Sequence, residues 1–252
     1  MHISAHTFWM PKAGNRADEY EDAFAHTPLQ DTSVPEFLCA VADGATETSF
    51  SGLWAQLLAA AFVERRLVGI DPATIARLSD DWRNQIAERT HDKPLPWYAE
   101  EKLQSGAYSS LVGLYLAPPR YWRAVGVGDS CLFQLRRGKI IRAFPLMESA
   151  QFNNRPALIS TNAEGNRALV PVTVEGDWRD DDCFLLMTDA LAQFFLAQRE
   201  QLSRLLWMPL RDKFLRLRSQ PAFDEMVIRL RHDRVCRNDD VTLVRVRVRA
   251  SR

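Results

Sequence analysis

The chain has 252 residues, 46% hydrophobic and 25% charged, long enough to bury a substantial core and ordinary in composition for a globular protein. Its 32 basic and 32 acidic residues cancel, so no overall field favours nucleic acid or an anionic membrane. Arginine is locally dense from Arg199 to Arg218 and from Arg229 to Arg252; these runs read as solvated faces first and as a surface for an acidic partner second.

Residues 3–10 and 37–42 read as strands. Residues 51–68 read as a helix whose stripe is Trp54, Leu57, Leu58, Ala61, Phe62 and Arg65, closed by Arg65-Arg66 and Gly69. Asp71-Pro72 caps and starts a second helix with Ile75, Leu78, Trp82 and Ile86 on one side. "HDKPLPWY" is a proline-stiffened loop. From Tyr108 the period shifts to two, and "SSLVGLYLA", "YWRAVGVG", "SCLFQLRRG" and "KIIRAFPL" read as a meander of short strands. The next stretch is less regular, with room for two more strands. "DDCFLLMTDA" is a buried strand ending in Asp189, and residues 190–218 are helical in two or three pieces. Pro221 opens a final helix carrying Phe223, Met226, Val227 and Leu230. In "VTLVRVRVR", Val244, Val246 and Val248 face inward while Arg245, Arg247 and Arg249 face out. Antiparallel strands flanked by two separate blocks of helices point to a four-layer α/β/β/α sandwich, two antiparallel sheets between helices, formed as a single domain over residues 1–252.

Four cysteines far apart in sequence (Cys39, Cys131, Cys183, Cys236) form no C-x-x-C pair and read as buried free thiols in a reducing cytoplasm. The N-terminus lacks the basic and apolar regions of a signal peptide, and no window approaches 18 apolar residues, so no membrane association is expected. "VGVGDSCL" has Cys131 where a dinucleotide fingerprint needs its third glycine, and "RRGKII" lacks the residues of a phosphate loop. There is no G-x-S-x-G and no H-E-x-x-H, and the five histidines do not cluster.

What remains is a set of aspartates at strand ends. "NRADEYEDAFAH" supplies Glu21-Asp22, "AVADGA" Asp43-Gly44, "LLMTDAL" Asp189, and "RNDDVTLVRV" Asp239-Asp240. Each alone could be a turn residue or a helix cap. Together, four apolar strands each present a carboxylate at one terminus, which is what hard divalent cations require. Mg²⁺ and Mn²⁺ take oxygen ligands and keep several waters, so a few carboxylates suffice. Four carboxylates, about −4, would balance two such ions at +4; without metal they would repel one another.

The ordered set "R…ED", "VADG", "S-S-x-V-G", "VGVGDS", "LLMTDAL" and "NDDVT", running from about residue 14 to residue 248, resembles the type-2C metal-dependent protein serine/threonine phosphatases. The resemblance implies an α/β/β/α sandwich around two Mn²⁺ or Mg²⁺ ions. It implies hydrolysis of phosphoserine and phosphothreonine by a hydroxide bridging the metals, with no phosphoenzyme. Carried over by position, Asp43 would bridge both ions, with the Gly44 carbonyl as a further ligand. Asp22 would serve one ion, Asp189 and Asp239 the other. Glu21 would hold a metal-bound water, and Arg16 would receive the substrate phosphate through a bidentate fork. Asp129 of "GDS" reads as a turn residue, and Asp240, where many relatives carry Asn, ranks below Asp239. Ala45 follows Asp43-Gly44 where eukaryotic relatives have His, and Ala190 stands in place of Gly. The acid expected for a third ion is missing from its usual place, with Glu101 the replacement to consider. The partners implied are a phosphoprotein substrate and a cognate Ser/Thr kinase system, acting on a cytoplasmic monomer. The competing reading is a catalytically degenerate member of the fold that binds a partner in a signalling pathway.

Overall fold

The apolar run that ends in Asp43 forms a strand, Phe37–Asp43, whose alternate residues enter two different cores. Phe37, Cys39 and Val41 face one, and Leu38, Ala40 and Ala42 the other. Both faces are covered, so the strand reads as continuously apolar rather than alternating.

The computed structural model describes residues 1–29, 33–45, 50–67, 70–91, 103, 105–153 and 155–251. The elements in chain order are β1 (His2–Met10), β2 (Asp22–His26), β3 (Phe37–Asp43), α1 (Ser51–Val63), α2 (Pro72–Thr90), β4 (Tyr108–Ser109), β5 (Leu111–Ala117) and β6 (Tyr121–Val127). They continue with β7 (Cys131–Arg136), β8 (Lys139–Phe144), β9 (Ile159–Ser160), β10 (Val172–Asp177), β11 (Asp182–Met187), α3 (Asp189–Gln201), α4 (Arg204–Arg216), α5 (Gln220–His232) and β12 (Val241–Arg249). Among the described residues one five-stranded sheet has the order β1-β12-β11-β7-β8, the other β10-β6-β5-β3-β2, and β4 and β9 form a small third pair, with every pairing antiparallel. Among the described residues no helix is long and apolar enough to cross a membrane.

Three cores separate the layers. Between the sheets lie Ile3, Phe37, Trp122, Phe184 and Val244, Val246 and Val248 of β12. Under α1 and α2 lie Trp54, Leu58, Leu78 and Trp82. Under α3, α4 and α5 lie Phe133, Leu185, Phe195, Phe214 and Phe223. The expected four-layer α/β/β/α sandwich is present. The local signals hold as well: the Asp71 carboxylate accepts the Thr74 amide at 2.8 Å with Pro72 opening α2.

Three local expectations need correction. The helix expected over 51–68 closes at Val63; Arg65, at φ +59°, makes the left-handed exit, and the Arg66 amide returns to the Ala61 carbonyl at 2.8 Å. The meander from Tyr108 is two hairpins in different sheets, β5-β6 in one and β7-β8 in the other. Gly128, at φ +85°, carries the chain across between them. The arginines of β12 do not all face solvent: Arg245 is 5% exposed, because the outer face of this sheet is covered by helices. Its guanidinium donates to the Phe214 and Leu215 carbonyls at 3.2 and 2.9 Å, capping the end of α4. Residues 92–98 of the "HDKPLPWY" loop, Gly69 and Glu101 lie outside the described residues.

Candidate metal centre

β2 and β3 pair so that Asp22 stands directly opposite Asp43, both at the same end of their sheet. β11 and β12 deliver Asp189 and Asp239-Asp240 from the other sheet, and the crossing between β6 and β7 delivers Asp129. Carboxylate oxygens of Asp43, Asp129 and Asp189 lie within 4.8 Å of one another. Asp129, read from the sequence as a turn residue, lies in the turn two positions past β6, and its carboxylate adjoins those of Asp43 and Asp189.

Asp22 is 2% exposed. Its Oδ2 accepts the Thr188 hydroxyl at 2.9 Å and the Thr242 hydroxyl at 2.7 Å, while its Oδ1 is buried without a hydrogen-bond partner among the described residues. A buried carboxylate oxygen of this kind costs stability unless something satisfies it. Burial raises the Asp22 pKa well above the ordinary range, with Asp240 and Asp189 adding to it against the two hydroxyls. Asp43 is raised by burial and then by Asp22, Asp189, Asp129 and Asp239 in turn. Asp129 is raised to about 7, by burial first and Asp189 next, and Asp239 is raised by the same two causes. The group is thus short of positive charge. All-oxygen donors, mutual repulsion and an orphaned oxygen fit hard divalent cations.

Asp189 is the first residue of α3, with Thr188 in the cap position and Ala190 in ordinary helical backbone, so glycine is not required there. Its Oδ2 is bound by the guanidinium of Arg237, which lies 3.8 Å from Asp239. Among the described residues Arg237 is the basic side chain ion-paired to the cluster, and the sequence reading missed it. The same reading passed over Thr188, Thr242 and Tyr20, whose hydroxyl meets that of Thr242. Their only signal was adjacency to the aspartates.

Glu21 and Gly44 are held by close backbone packing. The Gly44 amide donates to the Glu21 carbonyl at 3.3 Å, and Ser51 Oγ donates to Glu21 Oε1 at 2.7 Å. A Cβ on Gly44 would stand 2.7 Å from the Ser51 carbonyl carbon and 2.8 Å from the Glu21 oxygen. Gly44→Ala should therefore destabilise the protein by about 1–3 kcal/mol through overpacking. A melting temperature equal to wild type would show that the turn has room. Asp240 accepts the Lys12 amide at 2.8 Å through Oδ1 and the Glu21 amide at 2.7 Å through Oδ2. Both of its oxygens are engaged in positioning backbone, while Asp239 accepts the Asp240 amide at 3.1 Å through Oδ1 and lies 3.8 Å from Arg237 through Oδ2.

Arg16 stands apart. Its side chain is 76% exposed and forks onto Asp18 at 2.9 and 2.6 Å, in the short turn before β2.

A family model described as protein phosphatase 2C matches residues 16–236. No curated protein matches the chain. Among solved structures, the serine/threonine phosphatase PstP/Ppp of Mycobacterium tuberculosis is 18% identical, with a TM-score of 0.57 over 99% of this chain and 100% of that one. The PstP catalytic domain in complex with two manganese ions is 17% identical, with a TM-score of 0.54 and 99% of each chain covered. A bacterial serine phosphatase is 15% identical, with a TM-score of 0.59 over the full length of both chains.

Proposed function

The chain belongs to the protein phosphatase 2C family, and on that premise we propose that it hydrolyses phosphoserine and phosphothreonine in protein substrates, dependent on Mn²⁺ or Mg²⁺ and acting through one domain. The observation that carries this reading is the convergence of Asp43, Asp129 and Asp189 within 4.8 Å. Asp22, Asp43, Asp189 and Asp239, with the Gly44 carbonyl, would hold two ions, and Asp129 offers the carboxylate for a third. When bound, such ions supply Lewis-acid activation of water and neutralise the phosphoryl oxygens.

The chain's own residues prepare that chemistry. Thr188 and Thr242 fix the Asp22 carboxylate from the opposite sheet. Glu21, anchored by Ser51 and by Asp240, would orient a water. Water then attacks phosphorus in line, the P–O bond to the serine or threonine oxygen breaks, and that oxygen takes a proton. A thiol nucleophile has no support. All four cysteines are buried, and burial pushes the Cys183 and Cys236 thiols up to about 11 and those of Cys39 and Cys131 higher still.

Arg16 is proposed to release Asp18 and receive the substrate phosphate. Arg16→Ala should then raise KM several-fold with little change in kcat, and Arg16→Lys should restore it only in part, because the fork is lost. An unchanged KM would leave Arg16 as the partner of Asp18 alone.

The pairing of Arg237 with Asp189 and Asp239 favours a second reading, a member of the fold that keeps its own cation and binds a partner without catalysis. Two measurements separate the readings. Hydrolysis of an aryl phosphate should appear with Mn²⁺ and stop with chelator. Calorimetry should show Mn²⁺ binding to the wild type, tightened about tenfold in Arg237→Gln once the competing charge is gone. Absence of both binding and hydrolysis in the wild type would establish the non-catalytic reading.

A further inference from the structure

A second charged site lies on the outer face of the β1-β12 sheet, and its residues take no part in the acidic cluster. A cavity of about 860 Å³ there is lined by the guanidinium-bearing residues Arg137, Arg211, Arg216, Arg218, Arg245 and Arg247, with Asp212 as the one carboxylate. Six positive charges against one negative leave about +5. Arg245 and Arg247 are three and five residues along β12 from Thr242, roughly 10 and 16 Å from the metal-centre end at about 3.3 Å per residue.

Part of this charge has a structural use. Arg245 and Arg247 donate to the last carbonyls of α4. Arg211 donates to the Gly138 carbonyl at 2.6 Å and pairs with Asp212, which also lies 3.8 Å from Arg216. Arg137 and Arg218 are different: both are exposed, and neither has a hydrogen bond or ion pair among the described residues. Arg137 and Gly138 are the two turn residues of the β7-β8 hairpin, at φ +49° and +72°. That turn favours Asn or Asp at its first position, and an arginine there is uncommon. The backbone thus accepts an unfavourable residue that adds one more guanidinium to a crowd of like charges. His6, on the cavity wall, titrates below its ordinary range, through burial first and then Arg245 and Arg247.

We propose that this cavity binds a ligand carrying clustered phosphate groups. Guanidinium forks match phosphate oxygens two at a time, and several pre-positioned forks favour a multiply charged anion over a single carboxylate. Apart from His6, the cavity wall carries no ring, so recognition falls on the anion and not on a base. The phosphates could belong to a phosphorylated chain or to a free polyphosphate anion.

The test is calorimetry on the full-length, chelator-treated protein, so that no metal at the acidic cluster draws the anion. The probes are pyrophosphate, a doubly phosphorylated Ser/Thr peptide, and the same peptide unphosphorylated. The wild type should bind at least one phosphate probe, more weakly as salt rises. Arg137→Asn with Arg218→Gln should weaken it by at least ~10-fold, as loss of charged hydrogen bonds does. Asn suits the left-handed turn and both side chains are exposed, so folding is preserved; Arg218→Glu alone is the second variant and should weaken binding further. Mn²⁺-dependent hydrolysis of a small aryl phosphate should be unchanged in kcat and KM. Binding of the peptide alone assigns a phosphorylated chain, and binding of pyrophosphate assigns a free anion. The proposal is overturned if neither probe binds, if the variants bind equally well, or if the unphosphorylated peptide binds as tightly. A wild type that binds pyrophosphate but hydrolyses nothing would sink the phosphatase reading and leave this one standing.

Discussion

Asp43→Asn is expected to lower Mn²⁺-dependent kcat toward an aryl phosphate by at least ~100-fold, the scale of losing a principal electrostatic stabiliser. Asp43 ends a strand buried on both faces, faces Asp22 across the β2-β3 pair, and lies within 4.8 Å of Asp129 and Asp189 through its carboxylate. Asp22, opposite it, reaches the other sheet through the Thr188 and Thr242 hydroxyls. The amide is nearly isosteric, and removing one charge relieves repulsion from four neighbouring carboxylates. The metal-free variant should therefore melt at or above the wild-type temperature. Full activity in a folded Asp43→Asn protein would refute the assignment of Asp43 as the central ligand, whereas lost activity with a lowered melting temperature would point to misfolding.

Without metal, stability should fall as pH rises. Burial and neighbouring charge raise Asp22, Asp43 and Asp129 in the folded protein, Asp129 from its ordinary 3.8 to about 7. A carboxyl group with a raised folded pKa holds its proton in the folded state after the unfolded chain has lost it. Its stabilising effect is complete below about pH 4 and is lost between about pH 4 and pH 7 for Asp129. A shift of that size corresponds to a few kcal/mol, and at about 2–4 °C per kcal/mol the metal-free melting temperature should drop by roughly 5–10 °C from pH 5 to pH 8. Asp129→Asn should flatten the slope, and saturating Mn²⁺ should raise the melting temperature most at the alkaline end, where the ionised cluster binds it. A metal-free protein that gains stability from pH 5 to pH 8 would mean that the carboxylates are already compensated, with Arg237 the candidate.

The sequence carried the layers of the fold because periodicity and burial coincide. β3 and β11 are apolar on both faces since each lies between a helical layer and the opposite sheet, and the second half of β12 alternates because Val244, Val246 and Val248 meet the other sheet while Arg245 and Arg247 reach the carbonyls at the end of α4. What periodicity could not say is where the chain changes sheet. β5 to β8 look like one meander in sequence, and only the left-handed backbone at Gly128 separates them. Nor could alternation distinguish an arginine in water from one under a helix, since Arg245 needs the α4 carbonyls, about 30 residues away, to explain its burial. In the site, the aspartates were legible as strand termini. Arg237 and the threonines were not, because their importance comes from partners far along the chain: Thr242 meets Asp22 across 220 positions. The resemblance to relatives placed Arg16 at the phosphate, yet in this structure it is spent on Asp18.

That separation of 220 positions also bears on how the protein comes into being. Asp22 and Asp43 precede Asp129, Asp189 and Asp239 in the chain, and the carboxylates carried by the two sheets meet only when the sheets dock. A chain made only as far as β3 carries the first two of these aspartates and none of the others. The threonine hydroxyls that cross from one sheet to Asp22 close long-range contacts, the Thr242 one over 220 positions, the slow kind of step in folding. The acidic cluster is thus a product of the tertiary fold, and neither sheet carries it alone.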